Sequence, residues 1–217
     1  MRSRRSRPKQ AFLLLSASLL AVSLCLGAAQ PSDQISRLAK AMGWKAGQTV
    51  ADIGAGDGQY AFAASSLLGE DGKVYATELD EKKLAAINAE VARRGLKNVV
   101  VLQAAEKDTK LPENCCDAIF LRRVYHHLTA PQEINAHLMR NLKPGGLLAI
   151  IDFPPRKWLT ASSPVQGVPE NRGGHGIPQK ILVDELTAAG FALERTFNDW
   201  PEDDYCVIFR KPSAAGH

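Results

Sequence analysis

An α/β fold is what this sequence predicts, on three observations. Short apolar strand signals alternate with helix-period segments from residue 49 to the end. The first strand runs straight into Gly54, Gly56 and Gly58 ahead of a helical run, and glycines there permit positive φ and close backbone approach to a ligand. Finally, 217 residues with 45% hydrophobic and 23% charged composition suit one such domain and little more.

In chain order, Ile35, Leu38, Ala39 and Met42 recur at helical spacing between Pro31 and Gly43, which predicts a lead-in helix. Thr49 to Ile53 reads as a strand and Tyr60 to Leu68 as the helix after the glycine turn. Lys73 to Leu79 is a second strand, and Leu84, Ile87 and Val91 set a helix over Glu81 to Arg94 that Gly95 caps. Asn98 to Leu102 is nearly all valine, as expected of a strand buried on both faces. Asp117 to Leu121 is the fourth strand and Pro131 to Leu142 a helix stopped by Lys143-Pro144-Gly145-Gly146. Leu147 to Phe153 is the fifth strand. Residues 154–177, rich in Pro, Gly and Ser, carry no periodicity, and a loop of that length is commonly functional. A helix over Pro178 to Ala189, a strand near Phe191 to Thr196, a turn at Pro201 and a strand over Tyr205 to Phe209 complete the chain.

The first 29 residues are of another kind. Arg2, Arg4, Arg5, Arg7 and Lys9 precede an uncharged Leu/Ala-rich run from Ala11 to Ala29, and Gly27-Ala28-Ala29 supplies small residues before Gln30. This is the pattern of a secretory signal peptide, implying a periplasmic or secreted domain over 30–217. The alternatives are an uncleaved inner-membrane anchor over 11–29, a lipoprotein signal at Cys25 and a twin-arginine signal at Arg4-Arg5. Loss of those five positive charges from a formal +4 leaves −1, which gives no electrostatic case for nucleic-acid binding. Cys115 and Cys116 are adjacent, so a mutual disulfide would be strained. They and Cys206 read as small hydrophobes. No Cys/His spacing suggests zinc, and no metal is expected.

The ligand follows from the glycine spacing. A dinucleotide fingerprint from Gly54 needs a third glycine at position 59, which is Gln59. What stands here is Asp52-x-Gly54-x-Gly56-x-Gly58. A carboxylate at Asp52 repels a pyrophosphate and suits a ligand with ammonium and sulfonium charge. Together with Glu78 twenty residues after Gly58, the run Asp117 to Leu128 containing Tyr125-His126-His127-Leu128, the Lys143 to Gly146 turn and Ala188 to Phe191, this resembles the class I S-adenosylmethionine (SAM) methyltransferases over roughly residues 34–210. More narrowly, Tyr125-His126-His127, Gly174-His175-Gly176 and the terminal strand are similar to an exported bacterial group of that family.

The resemblance implies a Rossmann-like, doubly wound, seven-stranded and mostly parallel sheet whose last strand is antiparallel beside the fifth. It implies SAM as cofactor, held by Asp52, Gly54, Gly56, Gly58, Glu78, Ala105, Glu106 and the backbone at Arg122. Glu78 would accept from ribose hydroxyls. The Asp that the family often uses for the adenine amino group is replaced by Ala104. The partner is a small-molecule acceptor, with membrane contact only through the leader. His126 and His127, at the carboxyl end of a central strand, are the candidates to take a proton from the acceptor. Asp152, His175 and Trp158 are further candidates for the acceptor cleft. Two other functions stay open: a non-catalytic SAM-binding domain, and an NAD-dependent oxidoreductase, against which stands the absence of a Tyr-x-x-x-Lys pair at Tyr125.

Overall fold

The computed structural model describes residues 30–155, 166–169, 172 and 175–213, with backbone alone at 203. The leader, Trp158 and Gly174 lie outside the described residues. Among the described residues five α-helices and seven strands follow in order: α1 (Pro31–Met42), β1 (Thr49–Ile53), α2 (Gln59–Leu68), β2 (Lys73–Glu78), α3 (Glu81–Arg94), β3 (Val99–Gln103), β4 (Cys116–Arg122), α4 (Pro131–Asn141), β5 (Leu142–Asp152), α5 (Gln179–Ala188), β6 (Ala192–Trp200) and β7 (Asp204–Arg210).

One sheet of order β3-β2-β1-β4-β5-β7-β6 carries them. All neighbours from β3 to β5 pair parallel, whereas β7 runs antiparallel to both β5 and β6. The strand order reverses between β1 and β4, which opens a crevice at their carboxyl ends.

Alternation along the central strands sorts side chains between two cores. Val50, Ala118, Phe120 and Ile151 pack with Leu38 of α1, Phe62 of α2 and Ile87 of α3 on one face. Ala51, Ile119, Leu121 and Ile150 pack with Leu138 of α4 and Leu186 of α5 on the other. Helix ends follow local chemistry: Gly43 and Gly95 cap α1 and α3 in the left-handed region, and Asp80 accepts the Lys82 and Lys83 N–H groups at the start of α3.

Two expectations need correcting. The valine run is an edge strand: Val99 is buried, but Val100 to Leu102 are only half-buried. A β-branched sequence suits any pleated, partly covered surface, so valine content alone does not report a central position. The Lys143-Pro144-Gly145-Gly146 stretch lies within β5 as an irregularity, since Cys116 pairs with Leu142 and Ala118 with Leu147. Lys143 Nζ is held by both oxygens of Asp117 at 2.9 Å, and Asp117 Oδ2 accepts the Thr49 N–H, so this corner ties β1, β4 and β5 together at their amino ends.

Candidate active site

The crevice begins where β1 ends. The Gly54 and Ala55 N–H groups both donate to the Thr77 carbonyl at 2.9 and 2.8 Å, which fixes the glycine corner against β2. Gly54 has φ +72°, and a Cβ there would stand 2.6 Å from Val124 Cγ2. Only glycine meets both conditions without strain. Gly58, at φ +81°, caps α2 with no side-chain acceptor and no acidic residue in the first turn. The Gln59 N–H of that turn goes to Asp57 at 3.2 Å and the Ala61 N–H to Asp52, so what α2 adds beside the crevice is the positive end of its dipole.

Glu78 braces the corner. Its carboxylate accepts the N–H groups of Gly56 at 2.9 Å, Leu79 at 2.8 Å and Asp80 at 3.2 Å. Asp52 lies beneath, buried, with Oδ2 lacking a partner among the described residues. Its carboxyl is pushed up from 3.8 to about 8, first by burial and then by the Glu78 charge, with the Ala61 N–H opposing.

A cavity of about 400 Å³ opens above this floor, within the range of small-ligand pockets. Gly54, Gly56, Glu78, Ala105, Glu106 and Arg122 line it, as the sequence predicts, and so does His127. Gly58 and Asp52 sit outside the wall, at the helix cap and in the floor. Sequence reasoning missed Thr77, Lys83 and Asp108 on the wall. Two acids follow Ala104 on this wall, Glu106 and Asp108, and Asp108 is already engaged by Lys110 and His137. A larger cavity, about 520 Å³, lies among Ser65, Gly69, Gly95 and Asn98. It faces the amino ends of β2 and β3, away from the end where such sheets bind ligands.

On the β4 side the backbone turns sharply, with Arg123 at φ +54° and its N–H bonded to the Ile151 carbonyl at 2.7 Å. Left-handed φ at a non-glycine residue is stored strain. The turn sends Arg122 and Arg123 into an ionic cluster. Arg122 donates to Glu202 at 2.8 Å and to Gln34 of α1 at 3.3 Å, and it covers the Tyr60 ring at 4.6 Å. Arg123 grips buried Asp204 with two nitrogens at 2.8 Å.

The same turn starts the 3-10 segment Tyr125–His127. His126 is almost wholly buried: its backbone N–H donates to Asp152 Oδ2 at 3.1 Å, and its Nδ1 meets Asp152 Oδ1 at 2.8 Å. Its Nε2 is buried without a partner among the described residues. Asp152 was expected in the cleft; instead it is fully buried beneath His126 and orients that ring. The His127 ring lies 3.8 Å from His126, and partial burial, helped by His126 and His175, lowers its pKa to about 4. His175 stacks at 4.9 Å from His126 and 5.7 Å from His127. Its position is set by Gly176, where a Cβ would meet the Phe153 and Pro154 carbonyls at 2.8 Å, and by the Ile177 N–H bond to Phe153.

Cys115 and Cys116 hold their thiols with sulfurs 2.8 Å apart, and both are free, as is Cys206 in β7. No described helix is long and apolar enough to cross a membrane.

Comparison with known proteins agrees with this geometry. The family described as Methyltransferase domain matches residues 51–150. The ubiquinone/menaquinone biosynthesis C-methyltransferase UbiE of Escherichia coli is 31% identical over 112 residues, which are 51% of this chain and 45% of the relative. The chain thus matches less than half the length of that relative. A SAM-dependent methyltransferase from Aquifex aeolicus superposes with a TM-score of 0.68 at 31% identity, covering 81% of this chain and 88% of the other. Phosphoethanolamine N-methyltransferase 2 of Haemonchus contortus, in complex with SAM, shares the fold at a TM-score of 0.67 and 18% identity, covering 83% and 52%. The Aquifex match, at that identity and coverage, sets aside the NAD-dependent oxidoreductase reading. The chain belongs to the SAM-dependent methyltransferase family.

Proposed function

We propose that the chain transfers the methyl group of SAM to a small-molecule acceptor in the crevice between the glycine corner and the histidines. The observation that carries this reading is a single cavity that runs from Gly54, Gly56 and Glu78 to His127. The cofactor and the acceptor can therefore meet without a second domain.

The residues fit the cofactor group by group. The positive end of the α2 dipole beside the corner suits its carboxylate. Glu78, although it already accepts three N–H groups, keeps one lone pair on Oε2 for a ribose hydroxyl. Ala105, Glu106 and Asp108 border the adenine end, and Ala104 shifts its recognition from a side chain at that position to these neighbours. Asp52 in the floor, with the backbone at Arg122, favours the cationic end.

The chemistry asks little of the protein beyond alignment and exclusion of water. A lone pair on the acceptor forms a bond to the methyl carbon as the carbon–sulfur bond breaks in line, and the bonding pair stays on sulfur as a neutral thioether. His127, on the cavity wall with buried His126 behind it, is the histidine that an acceptor approaching that methyl would meet. The apolar wall formed by Val124, Leu128 and Ile134 favours a small, partly apolar acceptor. The leader pattern of residues 1–29 supports export or anchoring of the domain.

Calorimetric titration of the purified chain with SAM tests this reading. Binding in the micromolar range, weakened at least tenfold by Glu78→Ala, is expected. A folded chain that binds NAD but not SAM refutes it. Release of S-adenosylhomocysteine in the presence of candidate acceptors separates a transferase from a domain that merely holds the cofactor.

A further inference from the structure

We propose that His126, His127 and His175 form a site for one zinc-type divalent transition metal ion at the acceptor end of the cleft. One donor nitrogen from each residue lies within 4.8 Å of the other two. Nitrogens bound at about 2.0–2.1 Å around a tetrahedral ion stand roughly 3.4 Å apart. Rotation of the two outer rings, on a half-buried and an exposed residue, closes that difference while His126 stays fixed.

The fixed ring is the stronger part of the argument. A carboxylate can only accept, so Asp152 at 2.8 Å directs the proton of the ring to Nδ1, and the neutral imidazole that a metal takes then presents its lone pair at Nε2. That nitrogen is buried and has no partner among the described residues. Leaving a buried polar atom unpaired is unfavourable, and an ion bound at Nε2 removes that cost. A carboxylate behind a histidine is also the usual way in which a metal-binding imidazole is oriented and made more basic. The other bonds of Asp152 are to backbone N–H groups, that of His126 itself at 3.1 Å and that of Phe153 at 2.9 Å, so among the described residues the one side chain it orients is His126.

The third ligand arrives by construction. Gly176, at φ +100° and in close contact with the Phe153 and Pro154 carbonyls, docks its segment on the end of β5. The Tyr205 hydroxyl holds the Ile177 carbonyl at 2.8 Å. His175 is thereby fixed above the 126–127 pair, although 48 residues separate it from His127. Three imidazoles without thiolates suit zinc and its neighbours rather than magnesium or calcium, which prefer oxygen ligands.

Three ligands leave a fourth position open, and His127 on the cavity wall turns it toward the acceptor space. What the ion does rests on the methyl-transfer reading; that it binds does not. An acceptor hydroxyl or thiol coordinated there loses its proton to water more readily. Its lone pair then attacks the methyl carbon while the carbon–sulfur electrons leave with sulfur. In this arrangement His127 is a ligand and the acceptor needs no protein base.

The test is a zinc titration by calorimetry on the chelator-stripped chain, purified without a polyhistidine tag, beside a SAM titration of the same preparation. One ion per chain is expected. His175→Gln and His127→Gln should each weaken it at least tenfold, and Asp152→Asn about 10- to 100-fold, with circular dichroism confirming that each variant is folded. Cobalt in place of zinc should give the intense visible bands of a tetrahedral site. A folded wild-type chain that binds SAM but no zinc overturns the site and leaves the methyltransferase reading standing. Stoichiometric zinc binding unchanged by His175→Gln also overturns it. Zinc binding with these losses in a chain that ignores SAM upholds the site and refutes the cofactor assignment.

Discussion

Asp52 makes stability depend on pH in a direction opposite to most carboxylates. Its folded pKa, raised to about 8 from 3.8, lies above the unfolded value. As pH rises, the unfolded chain therefore gives up this proton first, and the native state loses stability between about pH 4 and about pH 8. At pH 7 the penalty, at about 1.4 kcal/mol per pH unit above 3.8, is on the order of 4 kcal/mol. Asp52→Asn keeps the shape and removes the titration. Its amide leaves a donor where Oδ2 now has no partner, at a cost of about 1–3 kcal/mol that does not vary with pH. Urea unfolding of both proteins across pH 4 to pH 8 is the assay. The variant should be less stable than wild type at the acid end, and should gain steadily on it as pH rises. A stability difference independent of pH would refute the burial argument. Saturating SAM should shrink the gain, because a cation above the floor restores the charged form.

Gly54→Ala forces a left-handed φ and places a Cβ against Val124. A loss of about 2–4 kcal/mol is expected, read as a lower urea midpoint. Adding Val124→Ala should recover the steric part but not the backbone part. Arg123→Met leaves Asp204 buried without its two-nitrogen partner, and a loss of about 3–5 kcal/mol is expected. Because burial already raises the Asp204 pKa, the native state of that variant holds the proton more tightly than the unfolded chain does. Its deficit should therefore be smallest in acid and grow with pH. Arg122→Ala removes one of the cations on Glu202, which Arg123 and Gln34 still hold at 2.9 and 3.0 Å, and takes a side chain from the cleft wall, which should weaken SAM binding severalfold with little change in the urea midpoint.

Local signals carried most of the architecture. Three glycines, one valine-rich segment and the caps at Gly43, Gly95 and Asp80 are decided within a few residues, and their elements lie within one or two residues of where the sequence puts them. Strand position is different. Nothing local in Val99 to Gln103 distinguishes an edge from a centre, because that depends on which strand pairs beyond it. The cavity beside the glycine corner was legible for the same local reason, as Gly54, Gly56, Glu78, Ala105, Glu106 and Arg122 all reach its wall. The histidine cluster was not. His126 and His127 were visible as a pair, but their relation to His175 depends on Gly176 docking against β5. Asp152 carried the opposite error: a strand-end acid suggests the cleft, and only the fold turns it beneath His126. Likewise, Arg122 is drawn to Gln34 and Glu202, residues 88 and 80 positions away, which no spacing rule connects.

A crystal structure of the chain grown with SAM tests the central claim most directly. The account predicts density in the 400 Å³ cavity, with the ribose against Glu78, the carboxylate at the glycine corner and the methyl directed toward His127. Density for SAM elsewhere on the chain, or a methyl turned away from the histidines with Glu78 untouched, would contradict it.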